Sequence, residues 1–373
     1  MPRRDVPLTL QAGLFYCLIF PIQSDFPYFW AMTNPNSYFP AEWLAQSGVQ
    51  LTWPDAQTDW EPILDEVLPV YWQMAREIMA REKLLLVCRN KNLLPSFLQT
   101  EDENLIIREM PLNDTWARDH GAITIIENGN PVLLNFRFNG WAMKFAAYHD
   151  NQITPNLFKQ KAFQEGIELR DFSFFTLEGG AIESNNAGCL LTTSECLLSK
   201  NRNEHLSKNE IEFILKNTFH SEKILWLDHG FLAGDDTDSH IDTLVRFCSE
   251  DTIAYVKCND QSDIHYQALK KMEAELQQLT DQNGQPFNLV PLPFPDAVYE
   301  EDGHRLPATY ANFLIINEAV LFPVYGVKQD TEATKIIEKL FPGRKIIPIN
   351  SVPLIKQHGS VHCISMQFPE GVI

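Results

Sequence analysis

Residues 119–136 of this chain read DHGAITIIENGNPVLLNF. Two apolar runs, 122–126 and 131–136, stand on either side of a polar turn at 127–130. Apolar runs separated by a short turn rich in Asn and Gly predict two antiparallel strands joined as a hairpin. Asp119 comes shortly before the first strand of this hairpin, so the pattern sets a carboxylate at a strand mouth.

The same pattern recurs along the chain. Helical patterns fall between the hairpins, at 207–215, 263–279 and 331–340. The hairpins are spaced by roughly sixty residues, and a long period of this kind indicates radial or stacked repetition. The further pairs of apolar runs lie at 181–183 and 189–193, at 244–247 and 253–256, and at 313–316 and 320–324.

The two ends of the chain supply a fifth, split unit. Residues 49–53 and 361–366 read as strands, and their pairing would close a ring of five units. A closed ring leaves no exposed sheet edge and creates a central channel, where the polar residues before each hairpin would meet. No linker rich in Pro, Gly or Ser divides the chain. We therefore predict one α/β domain at 37–373, with a two-domain α/β protein as the alternative.

Residues 1–36 are predicted to be an N-terminal extension outside this fold. An apolar run at 14–20 follows Arg3 and Arg4 and loosely resembles a signal peptide, but no clear cleavage site follows it. Met32 looks like a natural start. We therefore expect a cytoplasmic protein, with secretion as the alternative, and no later apolar segment is long enough to span a membrane.

Composition restricts the class of partner. The chain has 373 residues, 45% of them hydrophobic, and a formal net charge of -19. Binding to a nucleic-acid backbone needs basic patches, so this class is not expected. A cationic ligand is compatible with the charge. The seven cysteines fit neither a disulfide framework nor a C-x-x-C zinc site.

Residues 234–242 read GDDTDSHID, an unusually acidic segment that contains a histidine. On a strand, His240 and Asp242 would share one face, which sets a proton-transfer group beside a fixed negative charge. A solvated acidic turn or a calcium loop is the alternative, although the spacing fails the EF-hand template.

Two other segments suit a planar cation. Trp116 and Asp119 enter the first hairpin, where the acid accepts N–H bonds and the ring offers its face. An Arg118–Asp119 pair beside a core Trp is the alternative. Glu178 enters the second hairpin next to a glycine pair that permits close backbone approach.

Cys363 follows two histidines near the end of the chain. A nucleophilic Cys needs thiolate character from a neighbouring base or cation, and a buried strand cysteine is the alternative. Zinc held by His358, His362 and Cys363 is a further alternative. It is disfavoured because adjacent residues of a strand point to opposite faces.

Several of these motifs occur together and in one order. They are Trp116–Asp119, 177–180, 191–193 with 201–203, 234–242, 310–313 and 362–363. From about Tyr38 onward the chain resembles the agmatine deiminases of the guanidine-modifying amidinotransferase/deiminase superfamily, which are related to bacterial-type peptidylarginine deiminases. The resemblance implies a five-bladed β/α propeller with pseudo-fivefold symmetry, an active site at its axis, and no metal or organic cofactor.

The resemblance also implies a role for each site residue. Cys363 matches the nucleophile, His240 the general acid/base, and Glu178 the acid paired with that histidine. Asp119 and Asp242 match the carboxylates that clamp a guanidinium, and Trp116 matches a pocket-lining aromatic. Departures from the family pattern fall at Ser239, at 358–361 and at 120–122, and they put the substrate end in question.

The activity implied is hydrolysis of agmatine to N-carbamoylputrescine and ammonia through a covalent thiouronium on Cys363. The expected partner is therefore a small cationic guanidino substrate, with a homo-oligomer possible. Asp235, Asp236 and Asp238 are candidates for binding its distal amine. The alternatives are deimination of peptidylarginine, less favoured deimination of free arginine, and a catalytically dead guanidinium-binding homologue.

Overall fold

The computed structural model of this protein describes residues 36–373. The predicted extension at 1–36 lies outside the described residues, apart from its last position. Within the described part, sixteen strands form five small sheets. The strands are β1 (Gln46–Thr52), β2 (Lys83–Cys88), β3 (Leu105–Glu109), β4 (Ile123–Glu127), β5 (Asn130–Arg137), β6 (Glu168–Thr176), β7 (Ile182–Ser184), β8 (Cys189–Thr193), β9 (Lys223–Leu227), β10 (Val245–Phe247), β11 (Thr252–Lys257), β12 (Asn288–Pro293), β13 (Leu314–Ile316), β14 (Ala319–Val324), β15 (Lys345–Asn350) and β16 (Ser365–Pro369).

Four of the sheets share one topology. In each, an antiparallel hairpin is followed by a third strand that pairs parallel to the second strand of the hairpin. The strand orders are β4-β5-β6, β7-β8-β9, β10-β11-β12 and β13-β14-β15. The four predicted hairpins are therefore confirmed, with strand ends that shift by at most one residue.

The fifth sheet joins the two ends of the described chain. β16 pairs antiparallel with β1, and β2 and β3 follow in parallel in the order β16-β1-β2-β3. This confirms the predicted split unit. One detail of the prediction is wrong: β16 begins at Ser365, so His362 and Cys363 lie in the turn before the strand.

Helices connect the parallel strands, because such strands need a long crossover. α1 crosses between β1 and β2, α7 between β11 and β12, and α8 between β14 and β15. The helices are α1 (Leu64–Met79), α2 (Ala117–His120), α3 (Gly140–Met143), α4 (Ile153–Lys159), α5 (Ser194–Leu197), α6 (Lys208–Thr218), α7 (Tyr266–Leu276), α8 (Asp330–Leu340) and α9 (Val352–Ile355), with single 3-10 turns at Glu61–Ile63, Lys91–Leu93, Ser96–Leu98, Asp150–Gln152, Gly179–Ala181 and Ile241–Thr243.

The three predicted helices correspond to α6, α7 and α8. α6 begins where a capping box predicts, because Ser207 accepts from the Glu210 N–H and Glu210 accepts in return from the Ser207 N–H. α7 is shorter than predicted and begins at Tyr266. α1 buries one face at a spacing of three to four residues, which includes Tyr71 and Met74.

The apolar core lies between these helices and the sheets. Leu51 of β1 and Leu86 of β2 are fully buried in one cluster with Tyr71 of α1. Residues 36–373 belong to one compact unit, a mixed α/β domain. Among the described residues, no helix is long and apolar enough to cross a membrane.

Candidate active site

The residues of the candidate site, most of them predicted from the sequence, occupy equivalent positions in the five sheets. Each lies in the short segment that leads into the antiparallel pair of its sheet. Because these connections repeat the same topology, chemically different side chains are delivered from equivalent positions. The segments carry Asp119 before β4, Gly180 before β7, His240 and Asp242 before β10, Asn312 before β13, and Cys363 before β16.

A cavity of about 250 Å³ opens above Cys363. Trp116, Trp141 and Asp119 line the same cavity. Its wall carries further carboxylates, and among the described residues that line it there is no Lys or Arg. The other lining residues with a titratable side chain are Asp59, Asp114, Asp150, Asp236 and His358.

Cys363 is almost fully buried at the base of this cavity. Its Sγ atom lies 3.4 Å from Oδ1 of Asn312 and 4.0 Å from Oδ2 of Asp242. Burial raises the pKa of the Cys363 thiol well above its ordinary value, and the charges of Asp242 and Asp119 raise it further. Without a bound cation, the thiol is therefore protonated at neutral pH.

Asp119 is held by two N–H donors. Gly180 donates its backbone N–H to Oδ1 at 3.1 Å, and the indole Nε1 of Trp141 donates to Oδ2 at 2.9 Å. Burial raises the pKa of Asp119, the charge of His240 opposes this, and the net value is about 6. The carboxylate is therefore fixed in orientation and mostly ionised at neutral pH.

Trp141 reaches Asp119 from a strained turn. Trp141, Ala142 and Met143 have φ values of 52°, 62° and 69°, a left-handed run that residues other than Gly rarely adopt. Asn139 stabilises the turn by accepting the Ala142 N–H at 3.0 Å. The strain serves to bring the indole N–H to the carboxylate.

His240 is fully buried, and neither ring nitrogen has a hydrogen-bond partner among the described residues. Its Nδ1 atom lies 3.7 Å from Oδ1 of Asp119. Burial lowers the pKa of His240, but Asp119 first, and then Cys196 and Glu178, raise it by more, so that the net value is about 10. The ring is therefore an imidazolium at neutral pH, ready to donate a proton.

His240 and Asp242 do not lie on a strand, the condition under which they would share one face. The chain makes a 3-10 turn at Ile241–Thr243, and Thr243 donates its hydroxyl to the His240 carbonyl at 2.8 Å. Ser239, where the family pattern favours Gly, has a left-handed φ of 61°. The departure in sequence therefore keeps the backbone conformation that a glycine would take easily.

Asp242 has two unlike carboxylate oxygens. Oδ2 accepts from Nδ1 of His362 at 2.7 Å, whereas Oδ1 is buried with no partner among the described residues. Burial raises the pKa of Asp242, but the hydrogen bond from His362 outweighs this and the net shift is downward. A buried, ionised carboxylate with one unpartnered oxygen, whose Oδ2 lies 4.0 Å from the Cys363 sulfur, is an acceptor for a cationic ligand.

Glu178 is fully buried, and its nearest partner is Arg202, whose Nε donates to both carboxylate oxygens at 3.0 and 3.1 Å. Glu178 lies near His240 in a group of three side chains that also includes Cys196. Glu178, Cys196 and His240 have side-chain ligand atoms within 4.8 Å of one another, and among the described residues this is the one group able to hold a metal ion.

The zinc alternative from the sequence does not form. Both ring nitrogens of His362 face carboxylates, Asp242 and Glu42, at 2.7 Å. His358 Nδ1 lies 2.7 Å from the carbonyl oxygen of Gly234. These contacts hold the two histidines apart from a shared site with Cys363.

Asp236 and Asp238 have different surroundings. Asp236 lines the cavity, and its carboxylate lies 3.7 Å from Nε2 of His358. Asp238 instead pairs with Lys144 at 2.5 Å and Arg202 at 2.6 Å, and it does not line the cavity. Asp235 accepts the backbone N–H groups of Thr237 and Ser239, which shapes the turn. Of the three aspartates, the structure brings only Asp236 to the cavity.

The packing around Gly359 explains why the segment 358–361 contains a glycine at this position. A Cβ atom there would lie 2.0 Å from the ring of Trp116, so only a glycine lets the two segments meet. His358 beside it has a left-handed φ of 68°. The segment therefore packs the Trp116 ring against its backbone at the cavity wall.

Sequence reasoning missed several residues of the site. Glu42 and His362 form a buried pair below Cys363, and Trp141 orients Asp119. Asn312 accepts the backbone N–H groups of His362 and Cys363 at 3.0 and 3.3 Å. Asn312 lay within a motif of the resemblance without a role of its own, and His362 entered only the zinc alternative. Glu42 and Trp141 had no chemical signal in the sequence.

Comparison with known proteins agrees with this geometry. Residues 38–369 match the family model of the Porphyromonas-type peptidyl-arginine deiminases. A solved structure from Porphyromonas gingivalis, named "Putative Arginine Deiminase", is 49% identical, covers 90% of this chain and 99% of its own, and has a TM-score of 0.85.

Two further relatives are agmatine deiminases by name. A C. jejuni agmatine deiminase, a Cys-to-Ser variant with substrate bound, is 40% identical, covers 90% of this chain and 97% of its own, and has a TM-score of 0.83. A "Putative agmatine deiminase" of Selenomonas ruminantium is 32% identical and covers 89% of this chain and 95% of its own. The resemblance found in the sequence is confirmed, and the chain belongs to the Porphyromonas-type peptidyl-arginine deiminase family.

Proposed function

We propose that this protein is a deiminase of guanidino compounds and that its substrate is agmatine, which it hydrolyses to N-carbamoylputrescine and ammonia. One observation carries the proposal. The thiol of Cys363 shares a small cavity with the Asp119 carboxylate and lies 4.0 Å from Oδ2 of Asp242, and among the described residues that line the cavity there is no Lys or Arg. The names of the relatives support the same class of reaction.

The two aspartates suit a guanidinium. A monosubstituted guanidinium is planar and has only N–H donors, which carboxylates accept in pairs. Asp119 is oriented by Trp141 and Gly180, and Asp242 is oriented by His362. In our proposal they hold the cation in register with Cys363, so that reacting atoms meet without a large entropic cost.

The bound cation also activates the nucleophile. Asp242 and Asp119 raise the pKa of Cys363, and a guanidinium between them would offset their negative charge. The thiol then loses its proton to solvent and becomes the thiolate that attacks. Activation is therefore tied to the presence of a cationic substrate.

The reaction proceeds in two halves. The Cys363 sulfur forms a bond to the guanidinium carbon, His240 donates a proton to one nitrogen, and the C–N bond breaks to release ammonia. Water then adds to the thiouronium carbon and gives a proton to the neutral His240. The C–S bond breaks, a proton passes to solvent, and the ureido product leaves as the thiolate returns.

The far end of the cavity suits an amine better than a carboxylate. Asp59, Asp114, Asp150 and Asp236 line the wall, whereas free arginine would need a cation for its carboxylate. Burial and neighbouring carboxylates raise the pKa of Asp114 to about 8, and burial raises that of Asp150 to about 7. An ammonium group nearby would favour their ionised forms. The volume of about 250 Å³ lies below the roughly 300–1,000 Å³ of drug-sized ligand sites.

Peptidylarginine deimination is the second candidate, and one feature favours it. Phe145 lines the cavity and is 42% exposed, and Met143 in the same loop is 71% exposed. Apolar side chains at the cavity could receive the backbone of a peptide. A catalytically dead homologue is the third reading.

A colour assay for ureido products separates these readings. Purified protein would be given agmatine, free arginine and a peptidylarginine, with Cys363→Ala as the inactive control and Cys248→Ala as a matched buried-cysteine control. We expect product from agmatine with the wild type and Cys248→Ala, and none with Cys363→Ala. Product from the peptide alone would favour the second candidate, and no product from any substrate would favour a dead homologue.

We also propose that the five sheets surround one axis as a five-bladed β/α propeller with pseudo-fivefold symmetry. The shared strand topology and the equivalent positions of the site segments support this arrangement. A crystal structure with five sheets that do not face a common axis would rule it out.

The cytoplasmic location, the homo-oligomer and the extension at 1–36 stay predictions.

A further inference from the structure

Below Cys363 lies a buried chain of charged groups that the proposed reaction does not use. His362 stands between two carboxylates, with Nδ1 2.7 Å from Oδ2 of Asp242 and Nε2 2.7 Å from Oε2 of Glu42. All three side chains are more than nine-tenths buried. The chain therefore links the segment before β1 to an aspartate of the site.

His362 must donate from both ring nitrogens. Burial raises the pKa of Glu42 and of Asp242, but in both cases nearby cations outweigh it, Arg246 and His362 for Glu42 and His362 for Asp242. Both carboxylates are therefore ionised and can only accept hydrogen bonds. The two ring nitrogens of His362 are placed as their donors.

Glu42 is itself rigidly held. Its Oε2 accepts from Nη2 of Arg246 at 2.8 Å as well as from His362, and its Oε1 accepts the Ile315 N–H at 2.6 Å. Arg246 is anchored on the far side by Glu183 at 2.9 Å. Three donors on two oxygens hold the Glu42 carboxylate in one orientation. The hydrogen bond to Glu42 in turn fixes the orientation of the His362 ring.

The consequence appears at Asp242. One oxygen is fixed by His362, so rotation of the carboxylate is blocked and the other oxygen, Oδ1, is the one left without a partner. We propose that Glu42 is a positioning residue for the substrate, which acts through His362 to hold the Asp242 carboxylate in the orientation that receives the guanidinium beside Cys363. The inference rests on the proposed function.

A matched pair of variants tests it. Glu42→Gln removes one of the two anionic partners of Arg246 and also weakens the link to His362, because a single neutral amide oxygen replaces two anionic oxygens that serve three donors. Glu183→Gln removes the other anionic partner of Arg246 and does not touch His362, and its remaining oxygen can still accept from Arg246 and the Phe247 N–H. The pair separates a role through His362 from mere neutralisation of Arg246.

We expect Glu42→Gln to raise KM for agmatine about tenfold, about 1.4 kcal/mol, with kcat changed much less, because Asp242 holds the guanidinium before and during the reaction. Glu183→Gln should leave KM within about twofold of the wild-type value. The melting temperature of both variants is measured alongside, so that a loss of folded protein is recognised.

His362→Asn gives an independent check. An Asn side chain can still donate to Asp242 from a position close to Nδ1 but loses the contact with Glu42, whereas His362→Leu loses both. We expect the KM of His362→Asn to lie between those of the wild type and His362→Leu. Equal KM values for Glu42→Gln and Glu183→Gln, or for His362→Asn and His362→Leu, would overturn the inference, while absence of agmatine turnover by the wild type would instead overturn the proposed function.

Discussion

Gly180 leaves the space that the ring of His240 occupies. A Cβ atom at Gly180 would lie 2.6 Å from Nδ1 of His240, closer than real side-chain contacts come. The same atom would lie 3.0 Å from Oδ1 of Asp119 and 3.2 Å from Oδ2 of Asp242. Three of the proposed site residues therefore meet around one backbone position, which must be glycine for reasons of space and not of conformation.

Gly180→Ala should inactivate the enzyme without unfolding it. The added methyl group has to displace His240 or an aspartate, and a shift of about 1 Å in a reacting group costs on the order of a hundredfold in rate. We expect kcat/KM for agmatine to fall by about that factor. Gly343→Ala is the control, because a Cβ there meets nothing within 4 Å. Equal activity of the two variants would contradict the crowding seen around Gly180.

The thiol of Cys363 should react slowly with iodoacetamide at neutral pH in the absence of substrate. Burial, Asp242 and Asp119 raise its pKa, so the labelling rate should climb steadily with pH up to pH 9.5, without a plateau. Asp242→Asn removes one of these causes and should speed labelling at pH 8. Mass spectrometry of the Cys363 peptide gives the rate. A plateau below pH 8 in the wild type would show a thiolate already formed.

His240 should stabilise the fold most at low pH. Its pKa is raised from an ordinary 6.5 to about 10, so its contribution is complete below about pH 6.5 and is lost as the pH rises through 10. Urea unfolding of the wild type and His240→Gln from pH 7 to pH 10 measures this contribution. We expect the difference in unfolding free energy, wild type minus variant, to decrease across that range, which lies above the pKa of Asp119 of about 6.

The same variant should be slow in catalysis. Loss of a general acid/base costs on the order of a hundredfold or more. A His240→Gln protein with wild-type kcat would exclude the proton-transfer role. A stability difference that stays constant from pH 7 to pH 10 would contradict the raised pKa.

Asp236 should recognise the amine end of the substrate. Its partly exposed carboxylate lines the cavity, and an ion pair in such a setting is worth a few tenths to about 1 kcal/mol. Asp236→Asn should lower kcat/KM for agmatine about three- to fivefold. Butylguanidine, which is agmatine without the amine, is the matched control and should be processed equally well by both proteins. An equal loss for both substrates would remove Asp236 from amine recognition.

The hairpins were predictable because their signals are local. Apolar runs around short polar turns fixed the four pairs from β4 to β14, and the pairing of β1 with β16 followed from the need to close the ring. The prediction of a strand at 361–366 is wrong for Cys363, which lies in a turn. The turns that carry His240 and Cys363 are contacted by Thr193 and Asn312, which lie about fifty residues away in the chain.

Contacts between residues remote in the chain also determine which side chains belong to the site. Asp236 and Asp238 are two residues apart and equally acidic, and the sequence treats them alike. Lys144 and Arg202, remote in the chain, neutralise Asp238 and leave Asp236 at the cavity. Glu42 and His362 are likewise separated by most of the described chain, so only the folded structure reveals that they are paired.

The pairing of β16 with β1 also bears on how the protein is made. A ribosome completes β1 early and β16 last, so the first strand waits with an open edge while the four intervening sheets are able to form as they emerge. Cys363 arrives with the same final segment that covers this edge. A chain cut short during synthesis would thus lack both the proposed nucleophile and the strand that covers β1. The proposed catalysis and the protection of an aggregation-prone edge therefore depend on the same late segment.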